Sequence, residues 1–204
     1  MSDNQDIVYI QSLFLDRFDL ELEKIPESKK PGEKTPDLKC VTENTIRFVC
    51  ELKTLKDVEP SEETGYTKGE EEGEFWKNGN AAANKIARLI QHAHKQLSVH
   101  KYPKGPIFLN EALDVSEQDY HITMRGYLPF ADKASGKIIN EHWWHKISDG
   151  KIKNIKKQID FYIWINKKKN DRDVILFYKN TKPGKQIVEK YFSQQPISDS
   201  RAYQ

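Results

Sequence analysis

Apolar positions recur every three to four residues from Ile7 to Phe18, at Ile7, Tyr9-Ile10, Leu13-Phe14 and Phe18. That period predicts an amphipathic helix beginning near Asp6. Asp19 to Ile25 alternates apolar and charged residues as a strand does, and Pro26 to Lys34 is a Pro-, Gly- and Lys-rich loop. Two β-branched and aromatic runs follow, Thr35 to Thr42 and Ile46 to Thr54, separated by the polar Glu43-Asn44-Thr45. They predict a β-hairpin. A three-residue loop pairs Val41 with Arg47 and Asp37 with Glu51. In that register Leu38, Cys40, Ile46, Phe48, Cys50 and Leu52 share an apolar face, while Asp37, Glu51 and Lys53 lie side by side on the other.

Ala81 to Leu97 has the clearest helical period, with Ile86, Leu89-Ile90, Ala93 and Leu97 as its stripe and Asn80 as its N-cap. Tyr102 to Pro106 breaks this helix, and Ile107-Phe108-Leu109 is a short strand. In the second half, Tyr120 to Leu128 reads as a weakly alternating strand, Pro129 to Gly136 as loop, and Ile138 to Lys146 as an aromatic patch. Ile159 to Ile165 is apolar on nearly both faces, which predicts a buried or central strand. Asn166 to Asp171 is a basic turn and Val174 to Tyr178 the return strand. Pro183-Gly184 opens a last helix around Gln186 to Phe192, and the tail from Ser193 is polar. The expectation is a single domain over residues 1–204 of the α/β (α+β) class: a central mixed β-sheet flanked by helices, with a C-terminal β-hairpin.

Composition narrows the function classes. With 204 residues the chain is long enough for one good core. No long apolar run is present, so neither a membrane span nor a signal peptide is expected, and a cytoplasmic setting follows. The two cysteines, Cys40 and Cys50, sit diagonally across the hairpin and read as core thiols of a reducing compartment. The net charge of +2 conceals an uneven distribution. Lys56 to Glu74 is strongly acidic and reads as a loop, whereas Lys146 to Lys157 and the 166–171 turn are basic.

The hairpin carries the candidate chemistry. Like charges opposite one another on a sheet cost stability, and a divalent cation between Asp37 and Glu51 removes that cost. Hard oxygen ligands suit Mg2+ or Mn2+. A water on such an ion is acidified into a nucleophile, and Lys53 is placed to orient it or to neutralise charge in a phosphoryl transition state. Pro36-Asp37 followed by Glu51-Leu52-Lys53 resembles the signature of the PD-(D/E)XK nuclease superfamily, the restriction-endonuclease-like fold. The predicted order over residues 1–110, helix, three strands, helix, strand, is similar to that superfamily's core. The resemblance implies a metal-dependent endonuclease acting on DNA, with metal held by Asp37, Glu51 and the Leu52 carbonyl and with Lys53 at the catalytic centre. It also implies a supporting role for Gln96, with Lys85 behind it, on the 81–97 helix. Asp16 and Gln11 are the candidates for an upstream acidic position, and homodimerisation, common in that superfamily, is compatible with it.

Lys151, Lys153, Lys156 and Lys157, together with Lys167, Lys168 and Lys169, make a footprint for a nucleic-acid backbone. Tyr162, Trp164, Trp143 and Trp144 would stack on bases wherever they are exposed. His142 and His145, beside Glu141, have one-turn ligand spacing but no third ligand pattern. The rival expectation is a catalytically inactive module of the same fold that binds nucleic acid or a protein partner, with its carboxylates tied up by Lys53 and Arg47.

Overall fold

The computed structural model describes residues 4–28, 34–56, 81–113, 115–125, 127–131, 138–143, 152–167, 174–179 and 181–192. Helix α1 (Asn4–Phe18) buries Ile7, Ile10, Leu13 and Phe14, the stripe its period predicts. It ends at Asp19, whose φ of 53° turns the chain towards β1 (Leu22–Lys24). The hairpin is β2 (Leu38–Thr42) and β3 (Thr45–Leu55). Then come α2 (Ala81–Leu97) and β4 (Lys104–Asn110), followed by α3 (Glu117–Arg125), β5 (Tyr127–Ala131) and β6 (Ile138–Trp143). A four-residue helix α4 (Lys153–Lys156), β7 (Phe161–Asn166), β8 (Val174–Lys179) and α5 (Lys182–Tyr191) complete the chain.

Six strands form one mixed sheet in the order β1-β2-β3-β4-β7-β8, and β5 and β6 pair separately. The β3–β4 and β4–β7 pairs are parallel, so each needs a crossover, and α2 is the first of them. β7 lies inside the sheet, with Phe161 to Ile165 all buried, which is why it is apolar on both faces. Its antiparallel partner β8 closes the C-terminal hairpin.

Alternation along β3 sorts the two faces. Cys50 and Leu52 join α1 and α5 in one cluster with Phe14, Phe161 and Phe192. Val49 packs on Ala93 and Leu97 of α2, and Leu55 on Ile86, Ala87 and Ile90 of the same helix. Glu51 and Lys53, at odd positions between Val49 and Leu55, therefore lie on the α2 side.

The hairpin register is correct at the site end and shifted at the turn. Leu38 opposes Cys50, but Thr42 opposes Thr45 and Val41 opposes Ile46, with a bulge between. The turn has two residues, Glu43 and Asn44, with φ of 52° and 57°, the conformation that two-residue hairpin turns demand. Arg47 is the extra residue of the bulge. Its guanidinium reaches back to Glu43 at 2.8 Å and to the Thr42 hydroxyl, so it clamps the turn. The bulge also moves Ile46 off the predicted apolar face, onto the Val49–Ala93–Leu97 cluster.

Two further expectations are corrected. Tyr120 to Leu128 is not one strand: α3 occupies Glu117–Arg125 and β5 begins at Tyr127, taking in Pro129 to Ala131, read above as loop. Ser116 and Asp119 cap α3 reciprocally, since the Asp119 carboxylate accepts from the Ser116 N–H at 2.8 Å and Ser116 Oγ accepts from the Asp119 N–H at 3.3 Å. Ser-x-x-Asp before an apolar stripe is a helix-start signal. β4 begins at Lys104 rather than Ile107, with Pro106 opposite Glu51. Proline is tolerated there because pairing with β7 starts only at Ile107.

The start of α5 is fixed by Asp160. Its carboxylate accepts from the Thr181 hydroxyl at 2.6 Å and from the Lys104 N–H at 3.0 Å. Thr181 in turn caps α5 through the Gly184 N–H. A Cβ on Gly184 would sit 1.7 Å from the Asp160 carbonyl oxygen, and backbone there has nowhere to go. Gly184→Ala is expected to lower unfolding free energy by about 2–3 kcal/mol in urea titration, while Lys185→Ala on the exposed side of the same turn changes it by less than about 0.5 kcal/mol. Equal effects would contradict this packing.

Candidate active site

Asp37 stands one residue before β2, after the buried Pro36. Its carbonyl accepts from the Ile25 N–H at 2.9 Å, and its carboxylate Oδ2 accepts from the Leu52 N–H at 2.9 Å. The β2 ladder stops at Leu38, so the Asp37 side chain takes the place of the next strand residue along β3. Within a strand, a residue's N–H and C=O point to the same edge. The Leu52 carbonyl is thereby directed to the edge where Asp37 sits.

Glu51 is only 2 % exposed. Lys53 Nζ donates to Glu51 Oε1 at 2.6 Å. Glu51 Oε2 is buried and has no hydrogen-bond partner among the described residues. Burial, and then the charge of Asp37, push the Glu51 carboxyl from 4.5 up to about 7, against the opposing charge and hydrogen bond of Lys53 and a backbone hydrogen bond from Asp37. A buried carboxylate oxygen without a donor costs about 1–3 kcal/mol, and a second carboxylate nearby adds to the cost. Val49 and Leu55, on either side of Glu51 and Lys53 along this face, pack on α2, which is why Glu51 is buried.

The donor set fits a hard divalent cation: two carboxylates, one with an orphaned oxygen, and a directed backbone carbonyl. Among the described residues no group of three His, Cys, Asp or Glu side chains assembles for a metal.

Gln96 is half-buried on α2, on the stripe it shares with Lys85 and Leu89. The opposite flank meets α3 and α4, through Ala83 with Thr123 and His94 with Gln158 at 2.9 Å. Gln96 is thus on the flank away from α3 and α4, and no hydrogen bond joins it to Asp37, Glu51 or Lys53 among the described residues. Lys85 donates to the Lys56 carbonyl just past β3.

Several expected participants are elsewhere. Gln11 donates to the Leu22 carbonyl and Asp16 accepts from Ser12; both belong to α1, on the far face of the sheet. Sequence reading passed over Asp6, whose buried carboxylate accepts from Thr54 Oγ1 at 2.7 Å on that same far face. Arg47 is held at the turn and does not tie up Glu51. Tyr162 and Trp164 are fully buried and offer no stacking platform. His142 lies in the strand β6, where one-turn spacing to a ligand pair has no meaning; Trp144 and His145 lie outside the described residues. The described lysines of that footprint lie at two places. Lys153 and Lys157 are exposed at α4, and Lys156 donates to the Met124 carbonyl at 2.7 Å. Lys167, at the other end of β7 and roughly 20 Å away by strand rise, pairs with Glu111 at 2.6 Å and covers the Tyr9 ring. Lys151, Lys168, Lys169, the acidic 57–74 stretch and the tail from Ser193 are outside the described residues.

No family model, no curated protein and no solved structure matches the chain. Among the described residues, no helix is long and apolar enough to cross a membrane.

The Glu51 carboxyl holds its proton more tightly folded than unfolded. Its contribution to stability is therefore complete below about pH 4.5 and lost as pH rises through about 7. Between pH 5 and 8 the melting temperature of Glu51→Gln, minus that of wild type, is expected to rise by roughly 3–8 °C. A difference that stays flat with pH would show that Glu51 is solvated.

Proposed function

We propose that the chain is a divalent-metal-dependent nuclease of the PD-(D/E)XK type, with a restriction-endonuclease-like core, that hydrolyses phosphodiester bonds of DNA. The observation that carries this reading is the buried, unpartnered Oε2 of Glu51, set beside Asp37 with an ammonium on the other oxygen. A fold that hides a carboxylate in this way destabilises itself unless something cationic occupies the place. The element order α1, β1, β2, β3, α2, β4 supports it, as does the position of the motif at the open end of the β2–β3 hairpin.

Asp37, Glu51 and the Leu52 carbonyl would hold Mg2+ or Mn2+. The ion supplies an acidified water and Lewis-acid polarisation of a phosphoryl oxygen. The protein's own residues do the rest. The rigid β3 strand fixes carboxylate and ammonium relative to one another, which removes orientational freedom from the reacting groups. Lys53, 20 % exposed at its side chain, lies on the solvent side of Glu51, so its charge is available to a phosphate entering the site and to the developing negative charge. Gln96, half-buried on α2, would support the site from that helix. The α2 roof excludes water from Glu51 and strengthens each of these interactions.

The inactive-module reading has one observation in its favour, the Lys53–Glu51 pair at 2.6 Å. Incubation with duplex and single-stranded DNA and with RNA separates the two. Cleavage in Mg2+ or Mn2+, abolished by EDTA and lowered about a hundredfold or more in Asp37→Ala and Lys53→Ala, is the expected result. Folded wild-type protein that cleaves none of these in either metal would leave the binding module standing.

A further inference from the structure

We propose that the outer ridge of α2, together with α4, is the seat of a double-helical nucleic-acid backbone. This rests on the nuclease reading and adds to it the surface along which the substrate lies. From Phe75 to Asn110 the sequence has no Asp or Glu, and Lys151 to Ile159 has none either. Elsewhere carboxylates are frequent, 31 in 204 residues. α2 lies wholly inside the first stretch, and its most exposed line is Arg88, His92 and Lys95, at i, i+4 and i+7. The His94–Gln158 hydrogen bond at 2.9 Å ties α4 against this helix, which brings the exposed Lys153 and Lys157 alongside.

Several basic residues on other surfaces pair with carboxylates: Lys39 with Glu23, Arg47 with Glu43, Lys167 with Glu111 and Lys185 with Glu189. Among the described residues no carboxylate pairs with Arg88, Lys95, Lys153 or Lys157. Four cations without a carboxylate partner among the described residues suit an external polyanion. Arg88 and Lys95 are about 10 Å apart along the helix axis, close to three base-pair rises of a duplex. Tyr162 and Trp164 are fully buried, so neither supplies the stacking that an unpaired strand uses. The ridge is on the same side of the sheet as Glu51 and Lys53, on the outer surface of α2, so a backbone resting on it approaches those residues past the edge of the helix.

The test is binding of a labelled 30-base-pair DNA duplex in EDTA, by fluorescence anisotropy from low to moderate salt. Arg88→Ala/Lys95→Ala and Lys153→Ala/Lys157→Ala are compared with Lys182→Ala/Lys185→Ala, two exposed lysines of α5 on the opposite face. Each ridge pair is expected to lower the slope of log affinity against log salt by about 1.8, two contacts at about 0.9 each; the α5 pair leaves it unchanged. An unchanged slope in the ridge variants, an equal change in the α5 variant, or no binding by wild type overturns the proposal. Tighter binding of single strands than of duplex overturns it too. A duplex RNA arm shows whether the phosphate track accepts either sugar. Because no metal is present, failure of cleavage bears only on the nuclease reading, and failure of the slope only on the ridge.

Discussion

The Glu51 carboxylate beneath α2 is the constraint on which the rest of the structure turns. It is nearly inaccessible, half satisfied by Lys53, and within the field of Asp37. Three independent pieces of fold meet to produce that situation. β3 supplies Glu51 and Lys53 on one face, β2 ends early enough for Asp37 to reach the Leu52 N–H, and α2 packs on that face of β3. An acid in such a place raises the free energy of the folded state when ionised, and the ionised state is the one that binds cations. The same burial that costs stability leaves one oxygen without a donor among the described residues, the kind of local inconsistency expected at functional sites.

The geometry depends on details at the far end of the hairpin. The Glu43-Asn44 turn is one residue shorter than the loop predicted, and Arg47 takes up the difference as a bulge. Without the bulge, a two-residue turn would carry its pairing to the end of the strands and set Asp37 opposite Cys50 instead of Glu51. A one-residue slip exchanges faces along the whole strand, and the bulge confines the change to Ile46. The clamp from Arg47 to Glu43 and Thr42 is thus part of what keeps the acids together, although it never touches them.

The hairpin, both long helices and the central β7 strand were legible because their signals are local: period, turn chemistry and continuous apolar runs. So was the juxtaposition of Asp37, Glu51 and Lys53, which needs only the pairing 37 with 51. The depth of Glu51 was not legible, since it comes from α2 packing across the strand, a contact between segments far apart in sequence. The spacing of the lysines was not legible for a different reason: Lys153 and Lys167 are close along the chain but separated by the length of β7. Tyr162 and Trp164 were ambiguous because a buried strand and an exposed aromatic face have the same composition. The Ser116–Asp119 cap was present in the sequence and outweighed by weak alternation after it.

The most direct test of the account is isothermal titration of the metal-free protein with Mn2+ in buffers of different ionisation enthalpy, at pH 6 and at pH 8.5. If Glu51 is a ligand whose carboxyl titrates near 7, binding at pH 6 releases roughly one proton and binding at pH 8.5 close to none. Glu51→Gln should bind far more weakly and release no proton at either pH. Binding with the same proton count at both pH values, or undiminished in Glu51→Gln, would contradict the assignment of this carboxylate as the centre of the site.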